Sequence, residues 1–365
     1  MKRRDVLAGA VVGAGVAACS RPEGEPVVAQ APAAKPIEWK MVTTWPANFP
    51  GLGVGASRLA ERIGQLSGGR LTVKVYGAGE LVPALEVFDA VSTGTAEMGH
   101  GGAYYWKGKS EAAQFFSAVP FGMNGQEMNG WLYHGGGLEL WTRLYARFGL
   151  VPFPGGNSGV QMGGWFNREI NQVSDLQGLK MRIPGLGGEV LARLGGTSVN
   201  IPGGELFTAM QQGTIDATEW VGPYNDLAFG LYKVAKYYYY PGWHEPGTTL
   251  ECMVNKAAFD ALPADLRAIV EAASRSTNED MLADFTANNQ AALETLVNEH
   301  GVDLRPFPRE VLNALREASE TVVAEVAARD AFAAEVYDSY RQFLQRARRW
   351  HDVSERAYYA ARESA

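Results

Sequence analysis

Cysteine is nearly absent from this chain, whose 365 residues include only Cys19 and Cys252. Two cysteines are too few for a zinc site built from cysteine ligands. Cys19 also falls in a predicted export signal, described below, so the folded part keeps one cysteine and no internal disulfide. The fold is therefore expected to depend on a large apolar core.

Basic residues are also in deficit, with 33 lysines and arginines against 40 aspartates and glutamates and a formal net charge of −7. A nucleic-acid-binding protein needs a basic face to displace counterions, so that class is excluded. The five histidines show no metal-ligand spacing, and no nucleophile elbow is visible. Apolar residues make up 46% of the chain and charged residues 20%, which indicates a folded protein.

The N-terminus has the pattern of an export signal. A basic start, MKRR at 1–4, precedes an apolar stretch over 6–18 that is too short to span a bilayer comfortably. The paired arginines resemble a twin-arginine signal, and VAAC at 16–19 resembles a lipoprotein cleavage box in which Cys19 is acylated. The alternative is cleavage in the Ala- and Pro-rich stretch 28–34. We therefore expect a periplasmic protein in which residues 1–36 are signal and linker.

Two series of strands and helices follow the linker. In the first, 37–43 and 71–76 have strand composition, 53–66 and 84–93 have helical spacing, and a strand is predicted at 98–101. This β-α-β-α order predicts a parallel sheet covered by helices. In the second series we predict strands at 163–167, 179–183, 198–201, 217–221 and 237–240, and helices at 188–194 and 205–212.

The length and the two series predict an α/β protein with two lobes. Lobe I covers 37–158, completed by about 247–285, and lobe II covers 159–246, completed by about 286–330. The remaining 331–365 forms a C-terminal helix, with apolar residues recurring on one side at Phe332, Val336, Tyr340, Phe343 and Ala347. Two interpretations are open: a helix swapped between the subunits of a homodimer, and a helix that braces its own two lobes.

Two motifs carry the functional signal, SDLQGLKMRIPG over 174–185 and ELFTAMQQGTIDATEW over 205–220. Together they resemble the extracytoplasmic receptors of tripartite ATP-independent periplasmic (TRAP) transporters, the DctP-like family. The resemblance implies a two-lobed periplasmic-binding-protein fold with a hinge. It also implies a receptor, not an enzyme, that passes a solute to membrane subunits. Gln161, the Glu219-Trp220 pair and the segment Trp243-His244-Glu245 resemble the subgroup that binds α-keto acids.

Arg182 is the first candidate for substrate binding. It stands at the end of an apolar strand before a Pro-Gly turn, where open α/β sheets bind ligands. Its guanidinium can hold a carboxylate by two parallel hydrogen bonds. The alternative from the residues alone is a structural ion pair with Glu189 or Glu205. The family resemblance implies that Arg182 is the clamp for the substrate carboxylate.

Glu219 and Glu245 are candidates for a cation site, since carboxylate and amide oxygens suit Na⁺ or Ca²⁺ better than zinc. The alternative is that both side chains are solvated. The resemblance implies that the side chains of Gln161, Glu219 and Glu245 and the main-chain carbonyl of Trp220 bind the cation. One arginine cannot neutralise two glutamates and an incoming carboxylate, which favours Na⁺, with Ca²⁺ as the alternative.

The first-lobe loop GGAYYW at 101–106 is expected to contact the ligand through Ala103 and Tyr104, as the resemblance implies. Tyr105 and Trp106 are expected to pack in the core, and Asn225 is a weaker candidate for a ligand contact. Glu219 is expected to border the substrate as well as the cation.

The predicted ligand is a small monocarboxylate, a 2-oxo acid such as pyruvate, bound with a cation. Lactate or another carboxylate bound with Ca²⁺ is an alternative. An alternative of another class is an exported hydrolase with Glu219 and Glu245 as its acid/base pair.

Overall fold

The structure is a computed structural model and describes residues 35–363. The predicted export signal, its cleavage positions and the acylation of Cys19 lie outside the described residues. Among residues 35–363, no helix combines the length and the apolar character that a membrane crossing requires.

Eleven strands lie within the described part of the chain and form two sheets. In chain order they are β1 Ile37–Thr43, β2 Leu71–Tyr76, β3 Met98–Gly101, β4 Leu150–Asn157, β5 Gly164–Phe166, β6 Lys180–Arg182, β7 Thr197–Val199, β8 Ala217–Thr218, β9 Tyr237–Tyr240, β10 Thr249–Asn255 and β11 Asp303–Pro306.

Twelve α-helices accompany these strands over residues 35–363. They are α1 Leu52–Leu66, α2 Val87–Ser92, α3 Gly125–His134, α4 Gly137–Ala146, α5 Gly185–Arg193, α6 Leu206–Gln211, α7 Pro223–Phe229, α8 Lys256–Asp260, α9 Ala264–Glu294, α10 Arg309–Ala328, α11 Ala331–Val353 and α12 Glu355–Glu363.

The first sheet has the strand order β2-β1-β3-β10-β4. β1 pairs in parallel with β2 and β3, as the β-α-β-α pattern predicts, but β10 runs antiparallel to both β3 and β4. The expectation of an entirely parallel sheet is therefore wrong. The reason is that β10 returns from the second sheet and enters beside Asn157, where β4 ends, so it must run in the opposite direction.

The second sheet has the strand order β11-β9-β5-β8-β6-β7. β6 pairs in parallel with both β7 and β8, whereas β5 runs antiparallel to β8 and β9. The chain passes between the sheets after β4, after β9 and, through α8 and α9, after β10. The first two crossings, residues 158–163 and 241–248, supply several of the polar side chains described below.

The C-terminal region is not one continuous helix, because Ser354 interrupts it with a non-helical backbone between α11 and α12. The first half of α11 packs on its own chain. Tyr340 is buried and its hydroxyl accepts a hydrogen bond of 2.7 Å from the Met123 N–H, while the Trp131 indole donates to Ser339. Beyond this point Trp350 is 63% exposed and no residue of α12 is buried.

Glu251 is a fully buried carboxyl in the middle of the first sheet. It accepts hydrogen bonds from the Trp106 indole and from the Tyr145 hydroxyl. Burial raises the pKa of Glu251 to about 7 because the charged form loses its hydration, although the two hydrogen bonds oppose this change.

This raised pKa gives a testable stability prediction. The folded state holds a proton on Glu251 that the unfolded state releases near its ordinary pKa of 4.5. Its contribution to stability is therefore full below pH 4.5 and is lost as pH rises through about 7. We expect Glu251→Gln, which keeps one acceptor and one donor, to be about 1–3 kcal/mol more stable than the parent at pH 8 and about equal at pH 4.5. Urea unfolding at both pH values measures this difference. Glu61→Gln, at an exposed position, is the control and should change neither value.

Candidate functional site

Arg182 and Glu219 meet at the carboxyl ends of two neighbouring parallel strands. Arg182 is the last residue of β6, and Glu219 directly follows β8, whose Thr218 is paired with Arg182. The two side chains form an ion pair, and each is only 1% exposed. Neither Glu189 nor Glu205 is the partner of Arg182: Glu189 instead pairs with Lys107 and Arg329 at the surface.

Arg182 makes further contacts in several directions. Its Nη2 donates to the Tyr105 hydroxyl at 3.2 Å, its Nε donates to the Ile201 carbonyl at 3.3 Å, and its guanidinium carbon lies 5.1 Å from the centre of the Trp220 ring. Burial disfavours its charge, but Glu219, Tyr105 and Tyr104 together outweigh that effect, so the pKa of Arg182 lies above its ordinary value. The guanidinium is therefore a fixed positive charge inside the protein.

Gln161 and Glu245 approach this pair from the two crossings. The Gln161 Nε2 donates to Glu245 Oε2 at 2.9 Å, to the Ser158 hydroxyl at 3.0 Å and to the Thr248 hydroxyl at 3.2 Å. Thr248 donates a second hydrogen bond of 2.6 Å to Glu245 Oε2. The Gln161 Oε1 is buried and has no hydrogen-bond partner in the described part of the chain.

His244 completes the polar cluster. Its Nε2 lies 3.4 Å from Glu219 Oε2, and its buried Nδ1 has no hydrogen-bond partner among residues 35–363. One ligand atom from each of Glu219, His244 and Glu245 lies within 4.8 Å of the others. Burial, followed by the charge of Glu219, raises the pKa of Glu245 to about 7. Two carboxyl groups and the unpartnered amide oxygen of Gln161 are donors that fit a hard cation.

The loop after β3 brings aromatic side chains to the same place. Ala103 is buried, and the pKa of Tyr104 is raised well above its ordinary value by burial and by the charge of Glu245. The expectation that Tyr105 only packs in the core is wrong, since its hydroxyl contacts Arg182. Trp106 does pack in the core, against Glu251.

Asn225 is not free to meet a ligand with its amide. Its Oδ1 accepts from the Trp220 indole at 3.0 Å, and its Nδ2 donates to the Pro50 carbonyl at 2.6 Å. Asn225 therefore orients Trp220 and connects the two halves of the molecule.

A small cavity of about 10 Å³, roughly the space of one water molecule, lies beside this cluster. Its lining combines side chains with polar groups, Tyr104, Tyr105, Ser158 and Gln161, with apolar side chains and indoles. The latter are Trp45, Leu52, Trp220, Val221 and Leu250.

Arg182, Glu219, Gln161, Glu245, Trp220 and Tyr104 were all singled out from the sequence, and the structure gathers them in one region. The sequence analysis assigned no role to His244, Ser158 or Thr248. Their position in the sequence could have pointed to them, because each lies within three residues of Gln161 or Glu245 on a crossing.

Comparison with known proteins identifies the wider group. Residues 41–330 match the family profile described as bacterial extracellular solute-binding protein, family 7, or DctP. A relative from Nostoc sp., named as a monocarboxylate 2-oxoacid-binding periplasmic protein, is 44% identical over 98% of each chain.

Two solved structures are closely similar. A TRAP periplasmic solute-binding protein from Pseudoalteromonas atlantica, with bound sodium and pyruvate, is 46% identical with a TM-score of 0.87, and the match covers 91% of this chain and 100% of that one. A TRAP solute-binding protein from Bordetella bronchiseptica, described as a mixed-occupancy dimer with calcium and picolinate, is 38% identical with a TM-score of 0.88. That match covers 90% of this chain and 98% of the other.

These similarities confirm two predictions from the sequence, the two-lobed α/β fold and the resemblance to TRAP receptors. The match extends over more than three quarters of the chain and includes both motifs and all the site residues discussed above. The chain belongs to the DctP family, family 7 of the bacterial extracellular solute-binding proteins.

Proposed function

We propose that this protein captures a small 2-oxo monocarboxylate such as pyruvate, together with a cation, in the periplasm and delivers it to the membrane subunits of a TRAP transporter. The observation that carries the proposal is the buried Arg182 beside the buried cluster of Gln161, Glu219 and Glu245. The ligands named for the Nostoc and Pseudoalteromonas proteins support it.

In this proposal Arg182 holds the carboxylate of the solute through its forked N–H groups. Tyr105 and the ring of Trp220 keep the guanidinium in place, and Tyr104 and Ala103 border the solute from the other half of the molecule. Glu219 has two roles, as the resting partner of Arg182 and as a neighbour of both solute and cation.

The cation would be held by Gln161, Glu219, Glu245 and the Trp220 carbonyl. Arg182, two ionised glutamates and the solute carboxylate sum to two negative charges. Ca²⁺ would cancel both and Na⁺ would cancel one, so the charge sum favours a bound cation but does not favour Na⁺, and that part of the argument from sequence is wrong. A cation is nevertheless needed to bury this set of charges, because unpaired charges are costly in the interior.

Solute capture would proceed by closure of the two lobes. We take lobe I as 37–158 with about 247–285, and lobe II as 159–246 with about 286–330. The division of the strands between two sheets supports this assignment. Arg329 bonds to both Glu111 and Glu189, and Asn225 bonds to Pro50, so the halves are in contact. Gln161 and Glu245 lie on the crossings themselves, which would couple binding to the hinge.

The geometry favours a receptor over a carboxylate-pair hydrolase. Glu219 is engaged by Arg182, and Glu245 accepts hydrogen bonds from Gln161 and Thr248. Neither carboxyl therefore stands free beside a site for an attacking water.

Export by a cleaved signal fits a periplasmic solute-binding family. A twin-arginine route and a lipid anchor at Cys19 remain part of the proposal, and mass spectrometry of the mature N-terminus tests the cleavage position and the lipid anchor.

The first prediction concerns Arg182. Arg182→Lys replaces a fork with a point charge, so pyruvate binding should weaken by about 2–5 kcal/mol while the fold is kept. Calorimetric titration measures the affinity and circular dichroism checks the fold. Arg168→Lys, at an exposed position, is the control and should bind like the parent. Undiminished pyruvate affinity in Arg182→Lys would remove this residue from the site.

The second prediction concerns the cation. Pyruvate titrations in Na⁺, in Ca²⁺ and in chelator with K⁺ alone should show at least tenfold tighter binding with the preferred ion. Glu245→Gln keeps the shape of the side chain but removes one charge, so it should reduce that gain. Pyruvate affinity that is equal in all three conditions contradicts the cation site and leaves the role of Arg182 intact.

We also propose a homodimer formed through the C-terminal helices. Trp350, Val353, Tyr358 and Tyr359 are each at least 50% exposed on α11 and α12. Such an aromatic surface commonly marks a protein interface, and the Bordetella protein is described as a dimer. The first half of α11 meanwhile packs on its own chain, which supports the bracing interpretation for that half.

Truncation after Gln345 tests the dimer. It removes Trp350, Val353 and α12 but keeps the buried Tyr340, so light scattering should show a monomer that still binds pyruvate. A full-length protein that is already monomeric, or a truncated protein that remains dimeric, contradicts the proposal.

A further inference from the structure

His100, on β3, is a fully buried side chain to which the proposed function gives no role. Its Nδ1 accepts a 2.7 Å hydrogen bond from the Trp45 indole, and its Nε2 lies 3.0 Å from the carbonyl oxygen of Gly155. An indole N–H can only donate and a carbonyl oxygen can only accept, so the imidazole is neutral and carries its proton on Nε2. Burial lowers the pKa of His100 to about 4, although the bond with Gly155 opposes this change, in agreement with a neutral ring.

A β-bulge provides the acceptor for His100. The paired register of β4 on β10 passes from Pro154 directly to Gly156, so Gly155 is an extra residue without a partner in the ladder. Its carbonyl group is therefore available to His100, although β10 lies between β3 and β4 in the sheet. A Cβ atom at Gly155 would lie 2.9 Å from the Cβ of Cys252, so the bulge fits only a residue without a side chain.

Trp45, the other partner of His100, contacts both aromatic side chains that hold Arg182. The Trp45 ring is 1% exposed and lies edge to face with Trp220, with ring centres 6.3 Å apart, and 6.4 Å from the ring of Tyr105. The Trp220 ring lies 5.1 Å from the guanidinium carbon of Arg182, and the Tyr105 hydroxyl accepts from its Nη2. A rotation of the Trp45 ring would therefore disturb both supports of the guanidinium.

The hydrogen bond with His100 opposes such a rotation. A buried indole N–H that loses its acceptor pays the full cost of its lost hydration, so the bond restrains Trp45 to one orientation. The imidazole is restrained in turn by the carbonyl of Gly155. Because the ring is neutral, this support adds no charge to the interior.

We propose that His100 is a positioning residue for solute binding, which acts through Trp45 on Trp220 and Tyr105 and so fixes the orientation of Arg182. This inference rests on the proposed function. His100 itself touches neither solute nor cation in this role. Its contribution is a neutral ring with an acceptor at Nδ1 and a donor at Nε2.

The test compares two substitutions of His100. His100→Leu removes both hydrogen bonds, whereas His100→Gln keeps an acceptor for the Trp45 indole and a donor for the Gly155 carbonyl. Calorimetric titration in the cation-containing buffer should show pyruvate affinity about threefold to tenfold weaker in His100→Leu, the size of one net hydrogen bond. In His100→Gln the affinity should return close to that of the parent.

Leu59→Ala is the matched control for lost stability, since Leu59 is fully buried but belongs to a part of the core separate from that of Trp45. It should lower the midpoint of urea unfolding and leave pyruvate affinity unchanged. An equal loss of affinity in Leu59→Ala and His100→Leu overturns the positioning role, because general destabilisation would then explain both.

Trp45→Phe removes the same hydrogen bond from the other side, since phenylalanine keeps a ring but has no N–H. It should also weaken pyruvate binding, and adding His100→Leu should cause little further loss because both changes act through one bond. Additive losses in the double variant overturn the proposal. If His100→Leu fails to fold, Trp45→Phe alone carries the test, and parent affinity in that variant overturns the proposal as well.

Hydrogen exchange of the indole N–H groups, followed by NMR of protein with ¹⁵N-labelled tryptophan, tests the bond without any solute. The Trp45 signal is the one missing in Trp45→Phe. It should exchange slowly in the parent and in His100→Gln, and clearly faster in His100→Leu. Fast exchange in the parent, or parent pyruvate affinity in folded His100→Leu, overturns the role of His100. Failure of the parent to bind pyruvate refutes the proposed function instead, while indole exchange still decides whether His100 holds Trp45.

Discussion

A charge buried away from water must be paired, and in this protein that requirement falls on Arg182. Its guanidinium is 1% exposed at the end of β6, and Glu219 after β8 is the nearest counter-charge. The parallel pairing of β6 and β8 brings these two residues to the same edge of the second sheet. Tyr105, from the other half of the molecule, satisfies another N–H of the same group. The second sheet, the closed arrangement of the halves and the site are thus connected through one side chain.

The first two crossings between the sheets add a second level of organisation. A connection between lobes is usually seen only as a hinge, yet here residues 158–163 and 241–248 also carry Gln161, His244 and Glu245. Their hydrogen bonds with Ser158 and Thr248 tie one crossing to the other. In the proposed closure, a change in the charge balance of the site would act directly on the segments that bend, and no long pathway would be needed to couple solute binding to closure.

Much of this organisation could be predicted from sequence, where local pattern is strong. The strand predictions at 37–43 and 71–76 coincide with β1 and β2, because alternation and strand-forming residues occur together there. The direction of a strand could not be predicted in the same way, because nothing in the local sequence of 249–255 indicates that β10 is antiparallel to its neighbours. Likewise, the interruption at Ser354 does not disturb the helical spacing of the surrounding residues.

Prediction of the site from sequence is likewise limited to residues that belong to a local pattern. Arg182 and Glu219 belong to motifs with regular spacing, so they could be selected before their geometry was known. Tyr105 and His244 take their place through contacts 77 and 25 residues away in the chain, which no local pattern encodes. The cavity lining is harder still to predict, since Leu52 and Leu250 look like any other core leucines until the fold brings both to the cavity.

The edge-to-face pair of Trp45 and Trp220 has an optical consequence. Trp45 follows β1 of the first sheet and Trp220 follows β8 of the second, so the 6.3 Å separation of their rings depends on the two halves being together. Electronic transitions of two indoles at this distance couple, and the coupling falls off steeply as the rings separate. The near-ultraviolet circular dichroism of the unlabelled protein should therefore contain a signal specific to the closed form. In the proposed closure, this circular dichroism signal would report on the relative position of the two halves, next to the proposed solute site.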